Sequence, residues 1–217
     1  MASTSTQRAS LVTLKDQNRG PLMAVLGLNL VFLTLVVKTG RLLDPSFSDV
    51  AKQWRDLLPA GISVVIAGVI NGLLSSDNKA RLVFWRWSNP LPGSFAFSLY
   101  AHRDHRIDVA ALRKIVGMWP SDPREQNATW YKLYKSVTSE PAVIDAHRHF
   151  LLTRDYSAIS FIILLSAGLF GFWFIPSSAT AVSYVGIVLL QYLLATLAAR
   201  NYGVRLVTTV LALKACS

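Results

Sequence analysis

From Tyr156 to Ala199 the chain runs for 44 residues without one Asp, Glu, Lys or Arg. As a single helix that run would be about 66 Å long at 1.5 Å per residue, roughly twice a hydrocarbon core of about 30 Å. A helix exposed to water needs a polar face, and this run has no charged residue with which to build one. It must therefore lie in a membrane and fold back on itself. Its one break, Ile175-Pro176-Ser177-Ser178, falls near the middle. The run reads as a helical hairpin, with spans at 156–175 and 179–199 around a turn at 176–178. The expected fold class is all-α and integral to a membrane. Disorder, a coiled coil and a nucleic-acid module are excluded as the main identity. Charged residues make up only 16% of the chain, against about 25% in soluble domains.

Two further uncharged runs complete the topology. Residues 21–37 lie between Arg19 and Lys38, and residues 57–76 between Asp56 and Asp77. Four spans place the tail 1–20, the segment 77–155 and the tail 200–217 on one side. The loop 38–56 and the turn 176–178 fall on the other. Lysines and arginines divide eighteen against four between these sides, so the richer side is expected to be cytoplasmic. Topology thus accounts for the net charge of +10 without invoking nucleic acid. Phe170, Phe172, Trp173 and Phe174 suit an outer aromatic belt, and Tyr156 and Tyr202 an inner one. The first apolar run has no small-x-small cleavage site and reads as a retained signal anchor. The single cysteine, Cys216, allows no internal disulfide.

Local signals subdivide the polar segments. In 38–56, Ser46 and Asp49 have capping-box spacing. Phe47, Val50, Ala51, Trp54 and Leu58 follow helical periodicity, which suggests a short interfacial helix leading into span two. Beyond span two the helix is expected to continue to Asn89-Pro90-Leu91-Pro92-Gly93, with Ala80, Val83, Phe84 and Trp87 on one stripe and Lys79 and Arg86 pointing away. Within 77–155, Asp108 is placed to cap a helix through Trp119. Asn127 is read as the cap of a helix carrying Trp130, Leu133, Tyr134 and Val137, and Ser139 with Pro141 opens a third helix that enters span three. At 79 residues this helical domain is near the lower size for an independent core, and it should lean on the membrane or on neighbouring subunits.

The stretch Pro123-Arg124-Glu125-Gln126-Asn127-Ala128-Thr129-Trp130-Tyr131-Lys132-Leu133-Tyr134 is followed by Ala146-His147-Arg148-His149-Phe150-Leu151-Leu152. With Leu82-Val83-Phe84-Trp85-Arg86-Trp87 and Pro90-Leu91-Pro92-Gly93, these residues resemble a family of uncharacterised small bacterial membrane proteins, over about residues 57–165. The resemblance implies a multi-pass protein of the bacterial inner membrane. It brings no catalytic residues with it. The architecture, four spans and a compact cytoplasmic segment, is also similar to membrane effectors and sensors of anti-phage defence.

Chemistry-bearing motifs are sparse. HExxH, GxSxG and a phosphate-binding Gly-rich loop are absent from the sequence. No ionisable acid, base or histidine lies within the spans, so an intramembrane protease or proton-coupled carrier would lack its usual groups. No enzyme activity, metal or cofactor is expected. His147 and His149 are two apart and would face opposite sides of a helix, whereas Asp145 and His149 are four apart and can pair.

Two residue sets carry the functional expectations. Gly61, Gly68 and Gly72 in span two, with Asn71 beside them, form a small-residue face for within-chain packing, for an oligomer interface or for a pore lining. The basic set Arg103, Arg106, Arg113, Lys114, Arg124, Lys132, Lys135 and Arg148 is interleaved with Tyr100, Trp119, Trp130, Tyr131 and Tyr134. That set could meet anionic lipid headgroups, a nucleotide or oligonucleotide, or a cytoplasmic protein partner. The expected function is a self-associating, homo-oligomeric inner-membrane effector that conducts ions, with anions preferred because basic residues outnumber acidic ones at the span ends. The alternative is a non-conducting sensor or scaffold that signals to a cytoplasmic partner.

Overall fold

A computed structural model describes residues 14–42, 68–69 and 71–216. The expected interfacial helix, most of span two and Gly61 lie outside the described residues. The described chain is all-helical: α1 (Leu14–Gln17), α2 (Arg19–Thr39), α3 (Ser76–Phe84), α4 (Val109–Val116), α5 (Pro123–Ser136), α6 (Pro141–Phe174) and α7 (Ser178–Ala215), with 3₁₀ turns at Pro92–Phe95 and Tyr100–His102. Three of these helices, α2, α6 and α7, are long and apolar enough to cross a membrane.

The α6–α7 hairpin is the frame. Pro141 in the first turn of α6 suits a position whose N–H would be unpaired anyway. The helix then runs unbroken for 34 residues. At the turn Ile175 is buried, and the Ser177 hydroxyl accepts from Thr180 N–H at 3.3 Å. Small residues line the seam: Ala158, Ala181, Ala195 and Ala199 are buried there, which lets the two backbones approach closely.

Helix α7 corrects the reading of 200–217 as a tail. It continues without a break for 38 residues, to Ala215. Arg200 and Arg205 end the uncharged run but not the helical period: Ala199, Gly203, Leu206, Val207, Val210 and Leu211 stay on a buried face. That face is the centre of a helical head, where it packs with Val83, Phe97, Leu112, Val143, Ala146 and Phe150.

Span two does not continue as one helix to Asn89. Residues 71–73 are helical, a bend follows at Leu74, and the Ser75 hydroxyl caps a separate helix, α3, by accepting from Asn78 N–H at 3.2 Å. Helix α3 ends at Phe84, because Trp85 adopts a left-handed conformation with φ 53°. Lys79 does not point away but is buried, whereas Trp87 is 85% exposed.

In the head, Asp108 caps α4 by accepting from Ala110 and Ala111 N–H. Gly117, at φ 76°, ends that helix short of Trp119. The cap of α5 is Asp122 rather than Asn127: it accepts from Arg124 and Glu125 N–H, and Pro123 fills the first turn. Gln126, buried inside α5, accepts at one oxygen from Phe97 N–H, Ser98 N–H and the Ser98 hydroxyl, and it donates to Ser121 O. One amide side chain thereby satisfies the turn that lacks a helical ladder of its own.

Helix α2 completes a three-helix bundle. Its start lies at the head, where Asn18 Nδ2 donates to Arg148 O at 3.0 Å. Its end lies at the hairpin turn, where Thr180 Oγ1 donates to Gly40 O at 2.8 Å. Leu22 and Leu26 pack on Ile159 between these points.

Candidate functional site

The feature with most chemistry lies where α3 crosses the α6–α7 hairpin, at the head end of the apolar region. Asp155 is buried on α6. Its Oδ1 accepts from Lys79 Nζ at 3.1 Å and from both Nε and Nη2 of Arg154 at 3.1 Å. Side-chain exposures of 4%, 5% and 11% for Lys79, Asp155 and Arg154 place the node out of water. Two cations on one carboxylate leave a net positive centre. In such surroundings the partners depend on one another, since removing one leaves a desolvated charge.

One turn further along, α7 closes the end of α3. The Tyr192 hydroxyl donates to Leu82 O at 3.0 Å and accepts from Trp85 Nε1 at 3.3 Å. The Arg200 guanidinium donates to Val83 O and lies 4.0 Å from the centre of the Trp85 ring. The last carbonyls of a helix have no partner within it, and here a tyrosine and an arginine two turns apart on another helix supply them. The cation also suits the negative end of the α3 dipole. The left-handed Trp85, a conformation that disfavours side chains, is held by these same contacts.

A polar seam extends from this crossing between α6 and α7. Ser157 and Thr196 hydroxyls are bonded at 2.8 Å, and Gln191 Nε2 donates to Ser160 Oγ at 3.3 Å. Gly203 is required at the lower end: a Cβ there would lie 2.9 Å from Phe84 Cζ and 3.0 Å from Phe150 Cε2.

The residues singled out from sequence are dispersed. Among the described residues, a Cβ on Gly68 would meet Met23 Cε and Sδ, and one on Gly72 would meet nothing within 4 Å. Neither glycine therefore supports a close backbone approach among the described residues. Asn71 is buried with its Oδ1 unpartnered among the described residues.

Of the basic set, Arg106 is held in a fork by Asp104, at 3.0 and 2.7 Å. That pairing keeps the Asp104 carboxyl well below the usual carboxylate range. Arg113 lies 4.6 Å from the Trp119 ring centre, and Lys135 lies 5.3 Å from that of Tyr131. Arg103, Lys114, Arg124, Lys132 and Arg148 are exposed, on different elements. Most of the aromatic faces are occupied: Trp119 packs on Phe97 and His102, Trp130 stacks on Tyr134, and Tyr100 is 3% exposed, whereas Tyr131 remains 49% exposed. Trp87, 85% exposed and lining the same cleft as Arg124, is an open ring beside a cation of the set.

The histidines turn to different partners. His147 Nδ1 bonds the Tyr134 hydroxyl at 2.9 Å, while His149 pairs with Asp145 at 3.2 Å and stacks on Tyr202. Tyr202 also packs against the core of the head. Phe170, Phe172, Trp173 and Phe174 are exposed near the turn.

Sequence reading misses the node because Lys79, Arg154, Asp155 and Arg200 look like ordinary charges flanking spans. The available signal is Asp155 followed directly by the uncharged run, which places a carboxylate where a counter-ion is needed. Chemically the arrangement is a mechanical clamp, joining three helices through charge and backbone capping. No family model matches the chain, and neither a curated protein nor a solved structure does.

Proposed function

We propose that the chain is a non-conducting membrane sensor or scaffold, in which the state of the membrane helices is transmitted to a cytoplasmic head. The observation that carries this reading is the continuity of α7. One helix of 38 residues has exposed apolar side chains at Val182, Leu189, Leu190, Leu194 and Leu197, and further on it supplies the head core through Leu206, Val207, Val210 and Leu211. A helix resists bending unless Pro, Gly pairs or an inserted group interrupts it. Tilt of the hairpin therefore moves the head, and the clamp makes α3 move with it.

The inner-membrane orientation is supported by the eighteen-to-four division of basic residues. A fourth crossing is supported by the positions of the described ends: Gly40 lies by Thr180 at the turn, while Lys79 lies by Asp155 at the other end. The test uses spin labels at Leu28→Cys and Met118→Cys in a Cys216→Ser background. Their separation should change with acyl-chain length in nanodiscs, and Asn201→Pro should abolish the change. Identical behaviour with and without the proline would reject the lever.

A second reading, the self-associating ion-conducting effector, is favoured by Gly72, where a Cβ would meet nothing within 4 Å among the described residues, which leaves room there for another helix. In that reading an anion preference would draw on span-end cations other than Lys79, Arg154 and Arg200, which are engaged within the chain. Purified protein in planar bilayers separates the two readings: sustained current favours the effector, and silence with inserted oligomer favours the sensor.

A further inference from the structure

Beside the clamp, a cleft of about 550 Å³ opens between α3, the loop around Asn89 and the start of α5. Its lining includes Asp77, Arg81, Trp87, Asn89, Arg124 and Asn127. Arg81 commits two of its N–H groups, to Asn78 Oδ1 at 2.7 Å and to Trp87 O at 3.2 Å. A guanidinium has five such groups, so three remain. The Arg124 guanidinium has no bonding partner among the described residues, and Asp77 forms an ion pair with neither arginine. Two guanidiniums and one carboxylate thus share a polar cleft without neutralising one another, which leaves an excess of one positive charge. The first N–H groups of α5 are already capped by Asp122, so the arginines, with the Asn side chains, are the donors that face a ligand.

The depth of the cleft points to its ligand. Asp155 lies twenty residues from Ile175 along α6, about 30 Å at 1.5 Å per residue, which matches the thickness of a hydrocarbon core. Lys79 ties α3 to that level, and Asp77 and Arg81 flank Lys79. Trp87, 85% exposed at the rim, is the residue type enriched at the membrane–water boundary. We propose that this cleft binds a phosphate ester of net negative charge, the group an anionic phospholipid headgroup presents at that depth. Guanidiniums recognise it through paired charge-assisted N–H bonds. This site is independent of the lever reading and stands or falls separately from it.

The test uses full-length protein in detergent, with native mass spectrometry reading lipid retention. Phosphatidylglycerol is the probe, phosphatidylcholine the neutral comparison, and soluble glycerol phosphate the second arm. The wild type should retain phosphatidylglycerol about tenfold better than phosphatidylcholine, and Arg124→Glu should remove that preference, as loss of a charge-assisted contact implies. The Arg124 side chain makes no hydrogen bond or ion pair among the described residues, so this variant should keep the wild-type melting temperature. Arg81→Gln should weaken retention likewise, and Arg113→Gln, outside the cleft, should not. Binding of glycerol phosphate with the same dependence on Arg124 would support the phosphate site and assign it a soluble source. Equal retention of both lipids by the wild type without glycerol phosphate binding, or unchanged retention in Arg124→Glu, would overturn the proposal.

Discussion

Asp155 answers two cations while almost wholly buried, and that asymmetry gives an ordered prediction. Asp155→Asn strands both Lys79 and Arg154, so it should cost about 3–5 kcal/mol. Lys79→Met leaves the Arg154–Asp155 pair intact and should cost clearly less. Thermal unfolding in detergent measures both, and a reversed order would refute the assignment of Asp155 as the hub. His147 gives a pH prediction. Burial, with the Arg154 charge adding to it, lowers its pKa in the folded protein. A depressed histidine contributes stability that is complete above its unfolded value of about 6.5 and lost as pH falls through the folded value. The wild type should therefore lose melting temperature between about pH 7 and pH 5 relative to His147→Gln. Parallel curves for the two proteins would contradict it.

At the scale of elements, the hydropathy pattern makes α2 and the hairpin legible but not the lower half of α7. Arg200 and Arg205 break the uncharged run, and a hydropathy reading stops there. Ala199, Gly203, Leu206, Val207 and Val210, however, keep the 3- and 4-residue spacing of a buried helical face. The same spacing rule applied past the charges finds the core helix of the head. Asn127 misleads for a related reason: its position before an apolar period suits a cap, but Asp122-Pro123 is the stronger start signal and lies one turn earlier. The clamp is not legible, because a charge beside an apolar run looks the same in sequence whether it meets water or a partner seventy-six residues away. Two variants test the element. Stopping the chain after Tyr202 should expose the head to limited proteolysis, since Leu206, Val207, Val210 and Leu211 leave the core. Gly203→Ala should destabilise by about 1–3 kcal/mol through overpacking against Phe84 and Phe150, and Phe150→Leu should recover part of that loss. A tolerated stop codon would show that the head does not rest on α7.

The whole molecule is constrained by which ends meet. The head takes residues from both sides of the hairpin, so the segments around Met118 and Cys216 must share one side of the membrane, and the turn at Pro176 the other. Gly40 sits beside Pro176, with 3.9 Å from a Cβ built on Gly40 to the Pro176 ring, so Leu42 belongs with the turn. Ser76 opens the helix that Lys79 ties to Asp155, so it belongs with the head. In a Cys216→Ser background, single cysteines at Met118, Pro176, Leu42 and Ser76 can be challenged with a membrane-impermeant thiol reagent on intact cells. Pro176→Cys and Leu42→Cys should label, whereas Met118→Cys and Ser76→Cys should label only after lysis. The mirror-image pattern would keep the fold and reverse the orientation, which would mean that the eighteen-to-four bias does not set it. Labelling of Leu42→Cys and Ser76→Cys from the same side would remove the fourth crossing. In that case α3 could reach Asp155 only if the connecting chain ran back outside the bilayer, and the clamp would join the head to a loop rather than to a fourth membrane helix.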